Sequence, residues 1–191
     1  MKKIIIMISG RGSNMQAIVK NCLFGNLQNS CEVIEVFSNN ADAPGLEIAK
    51  DFGISTFYIT SKGKKRSKYN ALLLEHLKAK NPDYIILAGY MKVIPKSIIQ
   101  AFPHKIINIH PADTNLHQGL HGYDWAWKNK MQKTKITVHF VDEGLDTGEI
   151  IAQQEVDLIG CESLEDVENR GLKIEHKFYS ECLKTILCSE K

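Results

Sequence analysis

Apolar and polar positions change period many times along the chain. Residues 3–8 (KIIIMI) form an unbroken apolar run without alternation, as expected of a strand covered on both faces. Residues 15–23 then take a helical pattern, 33–37 (VIEVF) a strand pattern, and 44–52 a short helix opened by proline and closed by Gly53. A third strand is predicted at 54–59. A helix follows at 66–80, with leucines at 72, 73, 74 and 77, and ends at Asn81-Pro82. Strand four is 84–87, a short helix runs over 95–102, and further strands lie at 105–108 and 136–141, with another beginning at Glu149. The tail at 163–187 is helical, with Ser163-Leu164-Glu165-Asp166 as its capping start. Strands alternating with helices predict an α/β protein with an open, mainly parallel, doubly wound sheet and helices on both faces. The short link at 142–148 allows its last strands to be antiparallel.

Composition narrows the function classes. Hydrophobic residues make up 43% of the 191 positions and charged residues 24%, which is ordinary for a globular chain. The 24 basic and 22 acidic residues give a net charge of +2, predicting no broad nucleic-acid or membrane footprint. Basic residues crowd 62–68 (KGKKRSK), where a solvated helix start accounts for them. The five cysteines (Cys22, Cys31, Cys161, Cys182, Cys188) form no C-x-x-C pair, which predicts reduced thiols and a cytoplasmic protein. The first apolar run stops at Ser9-Gly10-Arg11, short of a leader core, and no segment approaches the ~20 apolar residues that span a membrane. No repeat, linker or composition shift marks a boundary, so one domain is expected over 1–191.

The chemistry concentrates at strand ends. In a parallel sheet, ligands sit beyond the carboxyl ends of the strands, and Asn108, His110 and Asp146 all fall at such ends. An amide donor, a titratable ring and a carboxylate that tunes the ring suit acyl transfer. Near the amino terminus, Gly10-Arg11-Gly12-Ser13-Asn14 joins a strand to a helix, and backbone N–H groups there favour an anion. The dinucleotide fingerprint fails at Met15, and no Gly-Lys-Ser/Thr is present, so a phosphate monoester is the best ligand. A tight turn needing small residues remains open as the alternative. The glycine and apolar residues at 88–94 suit the wall of a flat ligand, although core packing equally explains Val93 and Ile94. His139 reads as structural, His76 and His104 as surface residues, and Trp125 and Trp127 as packing for a short helix.

Six stretches taken together resemble the phosphoribosylglycinamide formyltransferases, within the folate-dependent formyltransferases: ISGRGSNMQAI, VFSNNADAPGLE, ILAGYMKVI, INIHP, GLH and TVHFVDEGLDTGEIIAQ. The resemblance implies a single Rossmann-like formyltransferase domain. It also implies transfer of a formyl group from 10-formyltetrahydrofolate, as co-substrate, to the amine of glycinamide ribonucleotide in purine synthesis. By resemblance, Asn108, His110 and Asp146 are catalytic. Gly12, Ser13 and Asn14 hold the ribonucleotide phosphate, and Glu175 lies near the acceptor amine. Met91, Lys92, Val93 and Ile94 flank the pterin, Arg66 meets the folate, and His121 lines the cleft. One departure stands out. Relatives carry Ser-Leu-Leu-Pro after His-Pro, whereas this chain has Ala112-Asp113-Thr114-Asn115, a change expected at the border of the cleft and bearing on donor or acceptor preference.

In the expected reaction Asn108 and protonated His110 donate to an oxyanion, His110 passes a proton to the folate nitrogen, and Asp146 raises the histidine pKa. No metal is required. Two readings from other classes compete. One is a zinc site from His110, Asp113, His117 and His121, which the glycines at 119 and 122 disfavour as a helical ligand set. The other is a phosphate-sugar sensor, which would not need the trio. A formyltransferase acting on a different small-molecule amine is the alternative within the enzyme class. The expected partners are small-molecule substrates, with neither nucleic acid nor membrane, in a monomer or homodimer.

Overall fold

The computed structural model describes residues 1–189. In chain order its elements are β1 (Lys2–Ile8), α1 (Ser13–Phe24), β2 (Cys31–Ser38), α2 (Pro44–Asp51), β3 (Thr56–Tyr58), α3 (Arg66–Lys80) and β4 (Tyr84–Leu87). These are followed by α4 (Lys96–Ala101), β5 (Ile106–His110), α5 (Gly122–Lys128), β6 (Lys133–Phe140), β7 (Ile150–Asp157) and α6 (Leu164–Ser189). The strands form one sheet in the order β3-β2-β1-β4-β5-β6-β7. Pairings from β3 through β5 are parallel, and both pairings of β6 are antiparallel. The strand order reverses between β1 and β4, which opens a crevice at their carboxyl ends.

Burial explains the unbroken apolar run of β1. Ile4, Ile6 and Ile8 enter one core with residues of α1, α2, α5 and α6. Ile5 and Met7 enter a second core, with residues of α3 and α4. Each such side chain is worth about 1.5–3 kcal/mol on removal from water. Tyr179 on α6 is fully buried, and its hydroxyl shares its hydrogen between the carbonyls of Leu87 (3.1 Å) and Ile107 (3.0 Å). That contact seats α6 against the ends of β4 and β5. At the start of α6 the Ser163 hydroxyl accepts from the Asp166 N–H and donates to the Asp166 carboxylate, the reciprocal cap expected from the sequence.

Several boundaries differ from the sequence pattern. β3 covers only Thr56–Tyr58 rather than 54–59, because it is an edge strand with β2 as its one partner, and the Ile54 N–H goes to Ala49 instead. β5 runs on to His110 rather than ending at 108, because β6 pairs antiparallel with it as far as His110 opposite Thr137. β6 itself begins at Lys133, three residues earlier than predicted. His76 is no free surface residue. Its ring stacks on Phe57 with centroids 4.1 Å apart, and its Nε2 lies 2.5 Å from Glu35, a buried carboxylate that also pairs with Lys80 at 2.8 Å. Trp125 packs against the core as expected, whereas Trp127 is 37% exposed and does not.

Candidate active site

A cavity of about 790 Å³ follows the carboxyl edge of the sheet. One end is the loop between β1 and α1. Gly12 caps α1 with φ +75°, a left-handed conformation that glycine adopts freely, and no side chain caps the helix. The first-turn N–H groups are therefore left for a ligand, with no acidic side chain in that turn to repel an anion. A Cβ on Gly12 would lie 3.1 Å from the Gly45 Cα, and the Gly45 N–H donates to the Gly10 carbonyl at 3.1 Å. The Pro44-Gly45 pair thus buttresses this loop as well as opening α2, a role its sequence signal did not reveal.

Asn14 and Glu175 form the next station. The Asn14 amide donates to Glu175 Oε2 at 2.5 Å, and the Tyr123 hydroxyl donates to Glu175 Oε1. Glu175 is buried, with both oxygens held by neutral donors, and it lines the cavity. The Asn14 carbonyl oxygen is buried without a partner. Tyr123 escaped sequence reasoning. A glycine inside the helical tail, Gly171, marks a close approach there, and only the structure shows that the Tyr123 ring makes it.

At the far end, β5 presents Asn108 and His110, two residues apart and so on one face of the strand. Asp146 reaches them from the 142–148 loop, in a left-handed conformation (φ 52°) that is costly outside glycine and tolerated where a site demands it. Its Oδ2 accepts the Gly119 N–H at 2.8 Å and lies 3.5 Å from His110 Nδ1. Its Oδ1 accepts from the Asn108 amide at 3.3 Å and lies 3.4 Å from His139 Nε2. Burial pushes the Asp146 carboxyl up, but the contacts from His139, Gly119 and His110 outweigh it and hold the group below the usual carboxylate range. His110 behaves otherwise than expected. Burial lowers its pKa, and the Asp146 charge offsets this only in part, so the free ring is held below its ordinary value rather than above it. Its Nε2 sits 3.1 Å from the His117 carbonyl, which can only accept, so the neutral ring carries its hydrogen on Nε2.

His139, read from the sequence as structural, belongs to this group. Its Nδ1 donates to the Phe140 carbonyl at 2.8 Å, and its Nε2 lies 3.3 Å from the Asn108 amide nitrogen and 3.4 Å from Asp146 Oδ1. The antiparallel register sets Asn108 opposite His139, and no local sequence signal could reveal that pairing.

Ser9 joins the two walls of the cleft. Its N–H donates to the Gly89 carbonyl, and its hydroxyl accepts the Met91 N–H at 2.8 Å. Met91, Lys92, Val93 and Ile94 line the cavity, Ile94 buried and the other three exposed. His121 also lines it, at φ 68°. Arg66 is exposed at the first position of α3 and does not line the cavity. The 112–115 segment does not border the cavity either: Ala112, Asp113 and Thr114 are buried against β6 and β7. His110, Asp113, His117 and His121 are not gathered into one set, since Asp113 turns to Lys135 at 2.8 Å while His117 Nε2 bonds the Leu120 carbonyl at 3.0 Å. Among the described residues no helix is long and apolar enough to cross a membrane.

An open α/β sheet with a cleft at its topological switch point, apolar over most of its wall with a few convergent polar groups, is a frame shared by many ligand-binding enzymes. Residues 2–183 match the family model described as formyl transferase. The phosphoribosylglycinamide formyltransferase of Bacillus subtilis is 35% identical over 188 residues, covering 98% of this chain and 95% of its own. That of Escherichia coli is 35% identical, covering 92% and 82%. Among solved structures, the phosphoribosylglycinamide formyltransferase of Bacillus halodurans superposes with a TM-score of 0.93 at 31% identity, covering all of this chain and 97% of that one. Glycinamide ribonucleotide transformylase 1 of Geobacillus kaustophilus gives 0.92 at 33%, covering 98% and 99%. The chain belongs to the formyl transferase family, and it is an enzyme that transfers a formyl group.

Proposed function

We propose that the protein moves a formyl group from 10-formyltetrahydrofolate to the primary amine of glycinamide ribonucleotide, a step of purine synthesis, in one domain spanning the whole chain. The observation that carries this reading is the continuity of the cavity. It runs from the anion-ready Gly12 loop, past the Glu175 carboxylate, to Asn108, His110 and Asp146, and out along 91–94. Phosphate sits on the N–H groups of Gly12, Ser13 and Asn14. Glu175 attracts the glycinamide amine, and the orphaned Asn14 carbonyl oxygen accepts a hydrogen from the same ligand. The flat pterin lies against Met91, Lys92, Val93 and Ile94. Arg66 lies outside this lining, so a folate contact there is to the donor's outer end.

The neutral amine attacks the formyl carbon, forming the C–N bond and an oxyanion. The Asn108 amide lies 3.3 Å from both Asp146 and His139, contacts long enough to yield to that oxyanion. Neutral His110 takes the amine's proton on Nδ1, where the Asp146 carboxylate, 3.5 Å away, steadies the resulting charge. The ring then delivers the proton to the folate nitrogen as the carbon–nitrogen bond to the donor breaks. The lowered histidine pKa suits this order, because the ring begins as a base and becomes an acid only within the turnover.

The test is direct: the purified protein is mixed with 10-formyltetrahydrofolate and glycinamide ribonucleotide, and folate release is followed by absorbance. Turnover dependent on both substrates is expected. A protein inert toward the ribonucleotide but able to formylate another amine would establish the alternative acceptor instead.

A further inference from the structure

The 112–115 segment connects the site to the outer strands of the sheet. Asp113 is buried, and its carboxylate accepts from Lys135 Nζ on β6 at 2.8 Å and from Gln153 Nε2 on β7 at 3.1 Å. Gln153 also donates to the Thr137 hydroxyl at 2.9 Å, and that hydroxyl donates to the Ala112 carbonyl at 2.7 Å. The same Asp113 starts a tight turn. Its Oδ1 accepts the Asn115 N–H at 3.1 Å, and its carbonyl accepts the N–H groups of Leu116 (2.8 Å) and His117 (2.9 Å). The far side of that turn carries the two groups that touch the reacting residues: the His117 carbonyl on His110 Nε2 and the Gly119 N–H on Asp146 Oδ2. One face of the His117 ring stacks on Trp125 with centroids 5.0 Å apart, so the turn is held at both ends.

We infer that Asp113 is a positioning residue: clamped by Lys135 and Gln153, it holds the 113–119 turn where the His117 carbonyl fixes the hydrogen of His110 on Nε2. Nδ1 is thereby kept as the basic nitrogen beside Asp146. An ion pair to the antiparallel edge of the sheet anchors the segment. Burial pushes the Asp113 carboxyl up, but Lys135, Gln153 and Asn115 outweigh it and hold it at about 2, so the clamp stays charged throughout the neutral range. The inference rests on the proposed role of His110 as proton carrier, and its test has a readout that does not depend on that role.

Nitrogen-resolved NMR of the His110 ring, at mildly alkaline pH where the ring is neutral, reports the tautomer in the free protein. Wild type should show hydrogen on Nε2 alone. Asp113→Ala and Lys135→Met should each mix the two tautomers and lower kcat by roughly ten- to a hundred-fold, the range for a misplaced catalytic group, with KM moving less. Lys133→Ala is the control: it cuts an exposed ion pair to Glu155 on the same two strands, away from the turn, and should match wild type in both readouts. Should Asp113→Ala fail to fold, Lys135→Met carries the test, because it leaves the buried aspartate and its turn in place. An unmixed tautomer, or equal mixing in Lys133→Ala, would overturn the clamp, and an unchanged kcat beside a mixed tautomer would uphold it and refute the proton-carrier role of His110. A mixed tautomer in a protein that is inert toward glycinamide ribonucleotide would uphold the clamp and refute the proposed acceptor.

Discussion

At the Gly12 end of the cleft the chain offers mainly backbone: a left-handed glycine, an uncapped helix start, and a loop propped on Gly45. At the Asn108 end it offers side chains drawn from β5, β6 and two loops, with Asp146 in contact with residues 7, 27, 36 and 38 positions away. The first end is built mostly from neighbouring residues, with Arg11 as the charged side chain of its loop. The second is long-range and sets two histidines against one carboxylate. A phosphate needs only fixed N–H groups, which neighbouring residues supply. A proton carrier needs its pKa and its tautomer set by partners on several sides, which only a converging fold supplies.

The largest expected break in this contrast lies at the side-chain end. His110→Ala should lower turnover by roughly 10²–10⁴, the range for losing a general acid or base, and Asn108→Ala by roughly 10²–10³, as for one oxyanion donor. Cooperative melting should persist in both. Steady-state kinetics decide the matter, and turnover near wild type in either variant removes that residue from the reaction. At the backbone end the effect should fall on binding. Gly12→Val places a β-branched residue at φ +75°, which costs about 1–3 kcal/mol, and sets its Cβ against Gly45. Its affinity for glycinamide ribonucleotide should fall by about ten-fold, and that for a folate analogue much less. Calorimetric titration of both ligands tests this, and equal losses would mean general damage to the fold.

The smallest expected effect tests how the two ends differ in charge. His110 should titrate below the ordinary histidine value, because burial outweighs the Asp146 charge. Asp146→Asn removes the one contribution from a carboxylate that raises it, so the pKa should move further down, and the limb of the kcat/KM profile governed by His110 should move to lower pH with it. NMR titration of both proteins gives the sign. An upward shift would show that Asp146 does not steady the imidazolium.

Much of the frame was legible in the residues. The unbroken run of β1, the proline at the start of α2 and the Ser163–Asp166 cap can each be read within a few positions, so pattern alone was enough to place them. The sheet's antiparallel end was foreshadowed by the short link at 142–148, too brief for a crossover helix. Motif resemblance also named Asn108, His110 and Asp146, and the fold brings these together. Only the tertiary structure decided what surrounds them. The β5–β6 register sets His139 against Asn108, burial lowers rather than raises the His110 pKa, and Asp113 turns away from the cleft toward Lys135. These are consequences of strand register and desolvation, which depend on residues far apart in the chain and have no counterpart in local periodicity.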